Sequence, residues 1–210
     1  MRRITELCDL NLYVKIGGCE ANTDIQNCEK LGIDSIIAPM IETPFSMEKY
    51  MEATQNSKMK LYFVCETKTA GQNIREIIES SKNKLSGIVI GRSDFCKSYG
   101  LSKKEVNSNN INNKVIHVLR EIKRHNIHTT MGGNICVDSL DNIEMLYKEK
   151  LLDNIETRNI VISLFHCNDV LEAIKKALEF EIKWMNYKAQ NYLEVGNSYI
   201  NRAKLLSERK

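Results

Sequence analysis

The sequence predicts an α/β protein with a mainly parallel sheet, and three features of the chain lead to this fold class. Apolar runs of about four to eight residues recur along the chain and alternate with longer stretches of helical character. The runs are apolar almost throughout, which is typical of strands whose faces are covered. No Gly- or Pro-rich linker divides the chain. A (β/α) barrel and an open doubly wound sheet both satisfy this pattern.

The elements follow in a regular order. Six strand candidates have the sequences LYVKI, SIIAPMI, LYFVC, GIVIG, IHTTMG and NIVISLF. Between them we predict helices at residues 22–31, 44–55, 70–81, 112–125 and 138–151. The segment SKKEVNSNNINNK is polar and rich in Asn and Ser, which predicts a long loop after the fourth strand.

Local signals mark two of these helices. Asn22 or Thr23 can cap the first helix, and Gly32 ends it. Thr43 can cap the second helix with Pro44 in its first turn, where the missing proline N–H costs nothing.

The last part of the chain has a different pattern. Residues 168–210 are almost wholly compatible with helix, either as one long helix or as two helices broken near Gly196. This extension is too long to cover a single strand. We expect its apolar stripe, which includes Trp184 and Tyr187, to pack on another subunit and form a homo-oligomer. We therefore divide the chain into a barrel domain, 1–167, and a helical extension, 168–210.

Composition excludes several classes of protein. The formal net charge is only +3 and the basic residues are dispersed among acidic ones, unlike the clustered charge of nucleic-acid binders. No apolar run approaches the roughly 18 residues of a membrane span, and the N-terminus lacks the apolar core of a signal peptide. The seven cysteines show no CxxC spacing, which favours reduced thiols. We expect a cytoplasmic protein with no nucleic-acid or membrane partner.

Two strand candidates end on a carboxylate. Glu66 follows LYFVC, and Asp94 comes 28 residues later, after GIVIG. Parallel strands bring their carboxyl ends to one mouth, where two acids repel unless a cation lies between them. Two carboxylates with water and substrate oxygens suit Mg²⁺ or Mn²⁺ better than zinc. Glu66 also precedes Thr67 and a helical stretch, so a helix cap is an equal alternative for it.

Other candidates lie beside these acids. Lys15 is within YVKIGG, and the glycines that follow it, Gly17 and Gly18, permit either close approach of a ligand or a tight structural turn. Arg92 and Ser93 immediately precede Asp94. The general base is unassigned, with candidates near strand ends at Glu20, Glu42 and His128.

Three stretches in this order resemble the HpcH/HpaI aldolase and citrate lyase β-subunit family: KIGGCEANTDIQNCEKLGIDSIIAPMIETPFSMEKY, VCETKTAGQNIREI and GIVIGRSDFCKSYG. The resemblance covers about residues 12–165 and implies a TIM-type (β/α) barrel that uses a divalent cation. It places the family's metal-binding glutamate on Glu66 and its metal-binding aspartate on Asp94. The family's arginine for the substrate carboxylate aligns with Lys15, and the resemblance implies that backbone amides near Ser93 meet a substrate carboxylate.

The chain departs from the family pattern in three places. Lys15 keeps the charge of the arginine but loses its bidentate fork. Val64 stands where the aldolase branch has a glutamine that contacts substrate. Lys15 also comes after only fourteen residues, whereas family barrels place one or two strands ahead of it. We therefore expect an incomplete barrel of about six strands.

These inferences lead to two functional hypotheses. The first is a metal-dependent carbon–carbon lyase or aldolase acting on a small carboxylate such as a 2-oxo acid, with Lys15, Glu66 and Asp94 as its catalytic residues. Arg92, Ser93 and the two glycines after Lys15 are the further candidates for substrate binding. The second hypothesis is a catalytically degenerate member of the family that serves as a binding or assembly subunit.

Overall fold

The sheet has seven strands that follow one another in chain order. The computed structural model describes residues 2–207. Strands β1 to β6 are all parallel, and β7 pairs antiparallel with β6. The strands are β1 (Tyr13–Lys15), β2 (Ser35–Ala38), β3 (Lys60–Cys65), β4 (Leu85–Gly91), β5 (His128–Gly132), β6 (Asn154–Glu156) and β7 (Val161–Ser163).

The sheet curls into an incomplete barrel with helices on its outside, as the sequence predicts. Two short 3₁₀ turns, Lys103–Glu105 and Val137–Ser139, lie among the helices. The helices are α1 (Arg2–Leu7), α2 (Asn22–Lys30), α3 (Pro44–Ala53), α4 (Lys68–Gln72), α5 (Ile74–Ser80), α6 (Arg92–Ser98), α7 (Asn109–Arg124), α8 (Leu140–Lys148) and α9 (Val170–Ser207).

Alternation along the strands separates two apolar layers. On β3, Phe63 is fully buried in the main core under the helices, whereas Tyr62 and Val64 belong to a small second cluster with Ile37 and Val89. Because successive side chains of a strand point to opposite faces, this second cluster marks the inner face of the curled sheet. Polar residues at the carboxyl ends of the strands on this inner face border the same space.

The last predicted strand differs from expectation. NIVISLF contains β7, but β7 runs antiparallel and forms a hairpin with β6, which the sequence analysis did not predict. Strand β6 has only three residues and follows α8 after a short connection, so no apolar run marks it. The incomplete barrel thus has seven strands rather than about six, and the β6–β7 hairpin forms the last two strands of the sheet.

Several helix boundaries are confirmed and others are corrected. Thr43 caps α3 by accepting a hydrogen bond from Ser46 N at 3.2 Å, and Pro44 is its first residue. Gly32 follows α2 with a φ of +62°. The cap of α2 is Ala21 without a side-chain bond, so the prediction for Asn22 or Thr23 is wrong.

Two predicted segments are also rearranged. The helix predicted at 70–81 is two short helices, α4 and α5, that meet at Asn73. The loop predicted over SKKEVNSNNINNK is short, because Ser108 caps a helix that begins at Asn109. The capping hydrogen bond of Ser108 stabilises the helix start although the Asn-rich sequence favours a loop.

The C-terminal segment is one continuous helix through Gly196. Ile174 and Ala177 bury its first turns against the barrel. Farther along, large apolar side chains are exposed to solvent, including Ile182, Met185 and Tyr192. In residues 2–207 no helix combines the length and the apolar character needed to cross a membrane.

We expect Gly133→Ala to destabilise the fold by about 2 kcal/mol or more. Gly133 has a φ of +83°, and a Cβ there would lie 2.5 Å from the backbone nitrogen of Ser93. The matched control is Gly18→Ala, where nothing lies within 4 Å of the added carbon. Urea unfolding of the two variants measures the difference, and equal midpoints would contradict the close approach of the two backbones.

Candidate active site

A cavity of 340 Å³ opens on the inner face of the curled sheet, at the carboxyl ends of the strands. Residues from β1, β2, β3 and β4 line one side of it, and the first turn of α6 lines another. The hairpin residues 156–161 complete the lining. This is the edge of a parallel α/β sheet at which active sites are found.

Glu66 lies at the end of β3 and is buried, with 5% of its surface exposed. Its Oε1 accepts a hydrogen bond from Met40 N at 3.2 Å, and its Oε2 accepts one from Lys15 Nζ at 3.3 Å. The cap of α4 is Thr67, which accepts from Ala70 N at 3.1 Å. The helix-cap alternative for Glu66 is therefore wrong, and its carboxylate faces the cavity.

Asp94 reaches the same cavity from the next strand. Helix α6 begins immediately after β4, so that Ser93 and Asp94 lie in its first turn and both line the cavity. The Asp94 side chain is exposed. Lys15, Glu66, Ser93 and Asp94 are thus brought together, although they come from three separate parts of the sequence.

The two acids fit an oxygen-bound divalent cation. Carboxylate oxygens are the ligands that Mg²⁺ and Mn²⁺ prefer, and these ions commonly complete their coordination with water and substrate oxygens. Within residues 2–207 no cluster of three or more His, Cys, Asp or Glu side chains is arranged to hold a metal ion. A cation at Glu66 and Asp94 would therefore depend on such additional oxygens.

The geometry corrects the expectation for Arg92. Its guanidinium is fully buried behind the cavity and is surrounded by neutral acceptors. Burial lowers the pKa of Arg92 to about 10, so that it stays charged at neutral pH. Its hydrogen bonds go to Gly132 O (3.2 Å), Gly133 O (3.1 Å), Asn107 Oδ1 (2.9 Å) and Ser139 Oγ (3.3 Å). These bonds are structural and use four of the five guanidinium N–H groups, and Arg92 does not line the cavity.

Gly17 and Gly18 are also not part of the cavity lining. Gly17 N donates to Asp24 Oδ2 at 2.8 Å, which ties the loop after β1 to α2. A tight structural turn, rather than close approach of a ligand, is therefore the explanation for this glycine pair.

His128 begins β5 and lies at the opposite end of that strand from the cavity.

The structure adds a third acid that the sequence analysis did not consider. Glu156 ends β6 and lines the cavity. Across the sheet, Glu66, Gly91, Gly132 and Glu156 occupy neighbouring positions on four successive strands. A Cβ on Gly132 would lie 2.7 Å from Glu156 Cγ, and one on Gly91 would lie 3.0 Å from Glu66 Cβ. The two glycines thus form a floor without side chains between the two carboxyl groups.

The surroundings of Glu156 change its acidity. Burial raises the pKa of Glu156 to about 7, and the positive charge of Lys15 partly offsets this effect. The next residue, Thr157, also lines the cavity, and its buried hydroxyl has no hydrogen-bond partner within the part of the chain that the structure describes. A buried hydroxyl is costly unless it is bonded, so this atom is suited to meet a polar ligand or water.

The signal for Glu156 in the sequence is weak. The residues Asn154, Ile155 and Glu156 alternate polar, apolar and polar, which is the pattern of a half-buried strand. Three residues are too few for this alternation to stand out beside a preceding helix. The glycine pair of TMGG was the stronger clue, because a glycine inside or after a strand often accommodates a bulky neighbour.

A comparison with protein families identifies one match. The model of the family described as HpcH/HpaI aldolase/citrate lyase matches residues 4–131. This range includes Lys15, Glu66 and Asp94, and it ends before the β6–β7 hairpin. A search of curated proteins finds no match in sequence.

Solved structures share the fold at low sequence identity. An HpcH/HpaI aldolase from Desulfitobacterium hafniense DCB-2 superposes with a TM-score of 0.62 at 10% identity, covering 87% of this chain and 75% of that one. An HpcH/HpaI aldolase/citrate lyase family protein from Burkholderia cenocepacia J2315 gives 0.61 at 13% identity, covering 74% and 70%. A variant of the citrate synthase SbnG gives 0.60 at 15% identity, covering 89% and 76%.

We expect Glu156 to make the folded chain less stable as pH rises from about 5 to 8. The pKa of Glu156 is about 7 in the folded chain and lies near 4.5 when the side chain is free, so the unfolded chain releases this proton first. The penalty is absent below about pH 4.5 and reaches about 3 kcal/mol above pH 7. Urea unfolding with chelator present, at a series of pH values, measures it.

Glu156→Gln should remove this part of the pH dependence, because an amide does not titrate in this range. The matched control is Glu144→Gln on the exposed surface of α8, which should keep the wild-type slope. The same slope in the Glu156→Gln variant and the wild type would contradict the raised pKa.

Proposed function

The chain belongs to the HpcH/HpaI aldolase/citrate lyase family, and from this membership we propose that it is a divalent-metal-dependent carbon–carbon lyase or aldolase. Its substrate would be a 2-oxo acid or a related small carboxylate. The observation that carries the proposal is that Glu66 and Asp94, at the ends of neighbouring strands, line one cavity. A buried carboxylate beside a second acid is an arrangement suited to a cation.

The side chains of the cavity have distinct roles in this proposal. Glu66 and Asp94 would hold Mg²⁺ or Mn²⁺, which supplies positive charge where a carbonyl oxygen becomes negative during bond cleavage. The ammonium of Lys15 and the hydroxyl of Ser93 are donors that line the cavity and would orient the substrate carboxylate. Lys15 acts as a point charge, so it fixes the orientation of a carboxylate less strictly than an arginine fork.

One observation favours the alternative of a degenerate binding or assembly subunit. The ammonium of Lys15 is bound to Glu66 Oε2, an oxygen that a metal ion would use. An ion pair in this position can neutralise Glu66 without any cation. The two functions differ in whether the cavity binds a divalent ion, and this difference can be measured directly.

We expect Mn²⁺ to bind the wild-type chain and Asp94→Asn to weaken the binding by about tenfold or more, since even residues behind a metal ligand contribute that much. Asparagine keeps the size of the side chain but removes the charge. The control is Asp141→Asn in the first turn of α8, which should leave the affinity unchanged. Calorimetric titration with Mn²⁺ gives the affinities, and equal binding by wild type and Asp94→Asn would end the proposal of this metal site.

The proposal includes a homo-oligomer formed through α9. Apolar or small residues recur on this helix at alternating spacings of three and four, and several of the large ones are exposed. This spacing is typical of helices that pack along a seam. The positions of the seam are Leu178, Ile182, Met185, Ala189, Tyr192, Gly196, Tyr199 and Ala203, whereas Trp184 and Tyr187 lie outside it and stack on each other.

We expect the double variant Met185→Lys and Tyr192→Lys to lower the molar mass in solution to that of one chain. Charges facing each other in an apolar seam are destabilising, because they lose hydration without gaining partners. Lys183→Glu lies on the opposite side of α9 and should leave the mass unchanged. Light scattering after size-exclusion chromatography measures the mass, and a wild-type chain that is already monomeric would refute the proposed oligomer.

A further inference from the structure

We propose that Glu156 is the residue that moves the proton in the cavity, as a general base toward the substrate and a general acid on the return. This inference rests on the proposed function, because it names the group that the carbon–carbon bond chemistry requires beside the cation. It concerns a residue on the β6–β7 hairpin, outside residues 4–131 that match the family.

The hairpin holds the Glu156 side chain over the floor of the cavity. Ile155 is fully buried on the outer face of the sheet, and alternation along the strand therefore turns Glu156 inward. Antiparallel pairing with Val161 fixes the backbone at Glu156 itself. The absence of a Cβ on Gly132 lets the carboxyl group lie against that strand, where a Cβ would be 2.7 Å from Glu156 Oε1.

The other two acids are less suited to this task. Glu66 already accepts hydrogen bonds on both of its oxygens, from Met40 N and from Lys15 Nζ. Asp94 is exposed to solvent. Glu156 is half-buried at the cavity, and within residues 2–207 none of the side-chain hydrogen bonds of the structure involves it. A carboxyl group without a fixed partner keeps an oxygen free to accept and return a proton.

The charge environment supports the same role. Burial brings the pKa of Glu156 to about 7, and proton transfer is most efficient when the pKa of the group lies near the working pH. The charged groups that line the cavity around it are Lys15 on β1, Glu66 after β3, Asp94 on α6 and Arg158 on the hairpin. Lys15 is the one whose charge lowers the pKa of Glu156.

The simplest reaction that isolates this step is exchange of the methyl hydrogens of pyruvate. The Glu156 carboxylate takes one proton from the methyl carbon, the electron pair of that C–H bond becomes the carbon–carbon double bond, and the carbonyl electron pair moves to oxygen. The reverse step returns a proton from the Glu156 carboxyl group to the same carbon. In deuterium oxide the proton on the Glu156 carboxyl group exchanges with solvent before the return step, so a deuteron is delivered to carbon and the abstracted proton leaves in the water. The reaction is balanced and needs no oxidant or acceptor.

The test follows this exchange by proton NMR, with full-length protein, Mn²⁺ or Mg²⁺ and pyruvate in deuterium oxide. The Mg²⁺ samples give the rates, and calorimetry gives the affinity for Mn²⁺. We expect the wild type to exchange the methyl signal with a rate that rises through about pH 7, and Glu156→Gln to exchange about 100-fold more slowly or worse. The variant should bind Mn²⁺ as tightly as the wild type, because it keeps Glu66 and Asp94.

Two further variants separate proton transfer from structure. Glu156→Asp keeps the carboxyl group on a shorter side chain, and it should recover part of the exchange that Glu156→Gln loses. Glu144→Gln makes the same chemical change on the exposed surface of α8 and should exchange at the wild-type rate. Circular dichroism of each variant at pH 7 shows that a loss of exchange is not a loss of fold.

The outcomes distinguish this inference from the proposed function. Exchange by the wild type that persists in Glu156→Gln with the same pH profile would overturn the role of Glu156 and leave the lyase proposal standing. A wild type that binds no Mn²⁺ and exchanges no methyl hydrogen would overturn both. A loss of exchange in Glu156→Gln with unchanged Mn²⁺ binding and partial recovery in Glu156→Asp supports the assignment.

Discussion

The buried guanidinium of Arg92 is the interaction on which the geometry of the cavity depends. It joins the start of α6 to the loop after β5 through the carbonyl groups of Gly132 and Gly133, and it reaches Asn107 and Ser139 beyond them. A buried charge is costly unless its donors are bonded, so this network specifies one arrangement of the surrounding loops. Ser93 and Asp94 follow Arg92 directly in the chain, so the Arg92 network positions them. Unlike Arg92, they line the cavity.

Three glycines also determine the shape of the cavity, because each leaves space for a neighbouring group. Gly133 allows the loop after β5 to approach the backbone of α6 closely, and Gly132 gives the Glu156 side chain its place. Gly91 leaves the same kind of space beside Glu66. The cavity therefore has carboxyl groups at its edges and backbone at its floor. Such a floor allows a small carboxylate to lie close to the strands, where a β-carbon would otherwise exclude it.

The sequence predicted the part of this arrangement that local patterns encode. Strands β1 to β5 and the shared cavity of Glu66 and Asp94 follow from apolar runs and their ends. The cap at Thr43 follows from its position before Pro44. It did not predict the burial of Arg92. A charged residue beside Asp94 is interpreted as a substrate-binding residue unless its hydrogen-bond partners in distant loops are known. Glu156 was missed for a similar reason, since a three-residue strand gains its stability from pairing with β5 and β7 rather than from its own composition.

The charges of the cavity explain how a cation and an anionic substrate can share it. Glu66 and Asp94 carry two negative charges, while Lys15 and Arg158 carry two positive ones, and Glu156 with a pKa of about 7 contributes only part of a charge at neutral pH. Without a cation these side-chain charges nearly cancel, and the cavity attracts a carboxylate only weakly. A divalent cation would make it positive, and a carboxylate substrate would then be drawn in. In this order of binding, the charge of Glu156 sets the net charge of the cavity, and its half-buried position on the hairpin brings its pKa close to neutral pH.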